Sequence, residues 1–80
     1  MTNTILRLPA VMRERGRSRS AHYFDIQQGL FTHPIRIGLR AVGWPSTEVA
    51  TLNAARIAGK SEVEIRELVA KLEAARKTAS

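Results

Sequence analysis

Five glycines, at 16, 29, 38, 43 and 59, cut this chain into short segments, and a chain so divided folds as short elements joined by tight turns. Pro9 suits the first turn of a helix, where its missing N–H costs nothing. A helix is expected from about Pro9 to Arg15, with Val11 and Met12 inward and Gly16 ending it. Ser18 then caps a second helix from about Arg19 to Gln28, closed by Gly29. Before these, residues 2–8 read as extended. Two short helices with a glycine at the joint form a helix-turn-helix pattern.

The next segment changes period. Pro34-Ile35-Arg36-Ile37 alternates, Gly38-Leu39 can turn the chain, and Arg40-Ala41-Val42-Gly43-Trp44 can return as a second strand. Ile35, Ile37 and Val42 supply apolar contacts, and Trp44 anchors the base of the hairpin on the core. With arginines near its tip, such a hairpin is either a wing lying on a DNA backbone or a structural hairpin with ordinary surface charges.

Beyond it, Ser46 is placed to cap a third helix, with Val49, Leu52 and Ile57 available for packing and Gly59 as its end. Ser61-Glu62-Val63-Glu64 is a capping box. It opens a fourth helix whose Ile65, Leu68, Val69 and Leu72 form one apolar stripe. Glu62 and Arg66, Glu67 and Lys71, and Glu73 and Lys77 are spaced as i,i+4 ion pairs, and Thr78 to Ser80 are expected to fray. A stripe on so short a helix needs a partner. It either closes the chain's own core, the favoured reading in so small a protein, or pairs through residues 61–77 with a second copy. The fold class expected is mainly α with a small β-hairpin, a winged helix-turn-helix over residues 1–58 followed by a C-terminal helix over 59–80.

Charge narrows the function. Residues 1–44 carry seven arginines and no lysine against Glu14 and Asp25, whereas residues 45–80 carry six basic and five acidic groups. Arginine is favoured where a planar fork grips phosphate or a guanine edge. The absence of cysteine removes disulfide frameworks and thiolate zinc sites, and fits a reducing compartment. Apolar runs fall short of the ~20 residues that span a bilayer. A cytoplasmic protein is expected, without membrane, cofactor or small-molecule substrate. His22 and His33 lack the clustered carboxylates or cysteines of a metal site, and no nucleophile–base–orienter set suggests catalysis.

Several strings carry a family resemblance: Ile5-Leu6-Arg7-Leu8-Pro9; Gly16 with Ser18-Arg19-Ser20; Tyr23, Ile26 and Gly29; Phe31; Pro34-Ile35-Arg36-Ile37-Gly38; Arg40-Ala41-Val42-Gly43-Trp44; and Glu48-Val49. Over about residues 4–58 the chain resembles the AlpA family of phage and prophage transcriptional regulators, related in fold to excisionases and MerR-type winged helices. The resemblance implies a recognition helix at 19–28 and a wing at 34–44. The chain departs from the family pattern at Arg17, His22 and Asp25, where apolar residues are usual, and at Phe24, where arginine is usual.

The DNA-contacting set expected from these readings is Arg17, Ser18, Arg19, Ser20, Tyr23, Phe24, Gln27, Arg36 and Arg40. Gln27 suits an adenine edge and Phe24 a thymine methyl, while Arg17 and Arg19 stand at a helix N-terminus that favours phosphate. A helical wheel turns Tyr23 and Ile26 inward with His22 beside them, so Tyr23 has a core reading as well as a phosphate one, and Phe24 a core-covering one. The partner expected is double-stranded DNA. A DNA-bending excision factor and a small protein-interaction adaptor are the alternatives.

Overall fold

The computed structural model describes residues 4–78. In chain order the elements are β1 (Ile5–Leu6), α1 (Leu8–Arg15), α2 (Arg19–Gln27), β2 (Ile35–Arg36), β3 (Val42–Pro45), α3 (Ser46–Ile57) and α4 (Glu62–Thr78). The result is mainly helical with a small antiparallel sheet, an arrangement compatible with a winged helix-turn-helix followed by a C-terminal helix. Among the described residues no helix is long and apolar enough to cross a membrane.

Local chemistry sets the helix ends. Gly16, Gly29 and Gly59 have φ of 66°, 75° and 78°, and each stands just beyond a helix. Ser18 caps α2 by accepting the Ala21 N–H at 3.2 Å. At α4 the Glu64 N–H donates to Ser61 Oγ (3.2 Å) and the Ser61 N–H to Glu64 Oε1 (2.9 Å), both halves of the capping box. Of the residues expected to fray, Thr78 still ends α4, and 79–80 lie outside the described residues.

The sheet has a third strand that the hairpin reading did not include. Its order is β1-β3-β2, with Ile5 opposite Pro45, Leu6 opposite Trp44, and Ile35 opposite Gly43. Gly43 admits β1: a Cβ there would stand 2.5 Å from Ile5 Cγ2 and 2.9 Å from the Leu6 carbonyl. Ser46 serves this strand instead of capping α3. It is the first helical residue, and its Oγ accepts the Thr4 N–H at 3.1 Å.

α1 and α3 pack on one another and against β3, and α4 lies on α3. Val11, Ile26, Leu30, Phe31, Trp44, Val49, Leu52, Ile65 and Val69 form the buried core. Trp44 is fully buried, as expected, and donates its indole N–H to the Thr32 carbonyl at 2.8 Å. Ile57 departs from expectation and is exposed. It lies five residues past Leu52, which at 3.6 residues per turn carries it about 140° round the helix from the packed stripe. In the small hairpin, Ile35 is half-buried, while Ile37 and Val42 keep much of their surface in solvent.

α4 is held by its stripe and by polar straps. Ile65 and Val69 are buried, with Leu68 and Leu72 partly so. Arg66 donates to the Gln28 carbonyl (2.8 Å), and Arg76 grips both carboxylate oxygens of Glu48 (2.8 and 2.6 Å). Glu73, expected opposite Lys77, accepts the backbone and ring N–H groups of His33 at 2.7 and 2.9 Å.

Candidate nucleic-acid interface

α2 turns two polar residues and an isoleucine inward. His22, Asp25 and Ile26 are its buried residues, whereas Tyr23 is 39% and Phe24 57% exposed. The wheel expectation for Tyr23 is thereby corrected, and the reason lies in α1. Arg15, at the end of that helix, has its side chain only 1% exposed. A guanidinium so buried requires a carboxylate. Asp25 supplies it, receiving Arg15 Nη2 at 2.7 Å. Arg17 adds Nε and Nη2 at 3.2 and 2.9 Å, and Arg56 from α3 stands 3.7 Å away. Presenting Asp25 to this cluster fixes the rotation of α2 and leaves Tyr23 at the edge.

His22 completes the joint. Its ring packs edge-on against Tyr23, Phe31 and Trp44, and its Nδ1 lies 2.7 Å from Arg15 Nη1. Burial, reinforced by repulsion from Arg15, lowers its pKa to about 4. The ring is therefore neutral at pH 7. Nδ1 accepts from Arg15, so the ring proton sits on Nε2. The Arg15 guanidinium also lies 4.1 Å over the Phe31 ring, a cation–π contact.

An open groove of about 740 Å³ runs beside this joint. Arg7, Leu8, Pro9, Met12 and Arg13 line it from the α1 side, Arg17 from the turn, Arg19 and Tyr23 from α2, and Arg40 and Val42 from the hairpin. Five arginines and a tyrosine thus face an apolar floor, with no acid among the lining residues. Such a trough suits a polyanion that also presents flat apolar surface.

The expected contact residues do not all lie together. Arg17, Arg19, Tyr23 and Arg40 meet in the groove. Ser20, Phe24 and Gln27 lie exposed on α2, and Arg36 lies exposed on β2, all outside the groove lining. The Ser18 hydroxyl is already used as the cap of α2, and Arg17 is already engaged by Asp25. Arg7 and Arg13 also line the groove, and the sequence reading did not single them out. The signal for them was the lysine-free run of arginines, but only the α1–hairpin contact brings these two to the same face.

A protein of Enterobacteria phage P4, described as "Uncharacterized protein ORF88", is 42% identical over 55 residues, covering 69% of this chain and 62% of that protein. The chain therefore spans about three fifths of that relative's length. No solved structure matches. The family model described as "Prophage CP4-57 regulatory protein (AlpA)" matches residues 4–57, from β1 through the joint and hairpin to the end of α3. By that match, over the elements that build the groove, the chain belongs to the AlpA family of prophage regulatory proteins.

Proposed function

We propose that this protein is a sequence-specific DNA-binding transcriptional regulator, with α2 in the major groove and the β2–β3 hairpin as a wing on the backbone. The observation that carries the reading is the acid-free groove between α2 and the hairpin, with Arg7, Arg13, Arg17, Arg19 and Arg40 along it. Arginine and tyrosine side chains are common phosphate contacts, and such contacts set register while base edges set sequence. The exposed side chains of α2, Ser20, Phe24 and Gln27, then face the bases. The DNA-binding unit in this reading is residues 1–58, and α4 closes its core from behind.

The test is salt dependence. Five or so phosphate contacts give a slope of log K against log salt near −4 to −5. Titration of a duplex selected by the protein from a random pool, followed by anisotropy at several salt concentrations, measures it. A slope indistinguishable from zero refutes the reading.

A further inference from the structure

The tip of the hairpin carries a leucine that the fold leaves in water. Leu39 is 95% exposed, more than any other large apolar side chain among the described residues. The Ile37 N–H closes the loop onto the Ala41 carbonyl at 2.9 Å, so Gly38, Leu39 and Arg40 stand at the apex. Singly exposed leucines are common on protein surfaces, but the setting of this one is particular. Its neighbour Arg40 lines the basic groove, and so does Val42 two residues on. Arg36 is exposed on the facing strand, in register with Val42. From Ile26 to Thr47 the sequence holds no carboxylate, so a polyanion meets no repulsion along the hairpin.

We infer that Leu39 is a wedge that enters the DNA minor groove beside the phosphates held by the arginine groove, unstacks a base step and bends the duplex. This rests on the DNA-binding reading above and adds an activity to it. A backbone lying along Arg13 and Arg19 reaches Arg40 at the hairpin, and the residue just before Arg40 is Leu39. A minor groove about 6 Å wide admits a narrow hairpin tip but no helix. Inserted apolar side chains partly unstack base steps and kink DNA by about 20–90°, and arginines flanking such a wedge hold the phosphates at the edges of the groove. The hairpin supplies both parts: Leu39 at the apex, Arg36 and Arg40 at its sides.

The experiment uses the full chain and a duplex of about 30 base pairs, the length over which a protein-induced bend is read, selected by the wild-type protein from a random pool. Energy transfer between dyes at its ends reports bending, 2-aminopurine placed at successive steps reports unstacking, and anisotropy reports affinity. Wild type is expected to bend the duplex by about 20° or more and to light one step. Leu39→Ala is expected to bind with its salt slope intact while losing both the bend and the 2-aminopurine signal, and Leu39→Phe to keep both. Because the side chain is exposed, circular dichroism of both variants should match wild type. A straight wild-type complex overturns the wedge and leaves the DNA reading standing. So does a Leu39→Ala protein that bends DNA like wild type, an outcome that frees the tip for a protein partner. Loss of all binding by Leu39→Ala also overturns it, because Leu39 would then be an anchor. Absence of salt-dependent binding by wild type removes the underlying reading and the wedge with it.

Discussion

Arg17 and Asp25 stand where the resemblance leads one to expect apolar residues, and in the structure they are each other's partners, with two hydrogen bonds between them. Read singly, each is an unexpected charge; together they form one ion pair. The sequence could not disclose this, because partners eight and ten residues apart across a turn follow no helical or strand period. His22 extends the cluster and makes it sensitive to acid. Its pKa, about 4 when folded, lies below the ordinary value of 6.5, so between those values the unfolded chain binds a proton that the folded chain refuses. Stability is full above pH 6.5, falls as pH drops through that window, and levels off near pH 4, a loss on the order of 3 kcal/mol. Urea unfolding of wild type should show a falling midpoint from pH 7 to pH 5, and His22→Gln, measured alongside, should show little of it. Equal declines in both proteins would locate the acid sensitivity elsewhere.

At the scale of elements, what was legible was local. Ser18, the Ser61–Glu64 box and the three left-handed glycines mark helix ends because a cap forms between residues a few positions apart. The pairing of β1 with β3 was not legible, since the two-residue β1 carries almost no period and the partners are distant in sequence. α2 and the hairpin have distinct roles in the proposed complex, and they can be separated. Arg40→Ala should weaken binding to all sequences about equally, because a wing arginine meets backbone. Gln27→Ala should relax preference at one base pair, by roughly 1–3 kcal/mol. Affinities measured on a panel of single-base variants of the selected duplex distinguish the two patterns. Uniform losses for both mutants would contradict the assignment of α2 to the bases.

For the whole molecule, the question is what α4 covers. Its stripe was evident from sequence, but whether it faced inward or toward a second copy was not. In the structure Ile65 and Val69 are 3% and 5% exposed within the same core as Trp44 and Phe31. The straps to Gln28, His33 and Glu48 fasten α4 to the α2–β2 linker and to α3. Ile65→Ala should therefore cost about 2–5 kcal/mol, a large part of the stability of so small a domain. Wild type should melt at a temperature independent of protein concentration. Calorimetry over a hundredfold concentration range checks both statements; a midpoint that climbs with concentration would assign part of the stripe to a dimer contact.

The β1–β3 pairing has a consequence in time as well as in space. The Arg15–Asp25 joint closes over ten residues, whereas the Thr4–Ser46 bond that extends β1–β3 spans 42. Loop-closure entropy favours short-range contacts early and leaves long-range ones to follow. The helix-turn-helix is thus expected to assemble while β1 is still free, and β1 to dock over Gly43 late. Strengthening or weakening that strand would then act chiefly on how fast the protein comes apart, and little on how fast it forms.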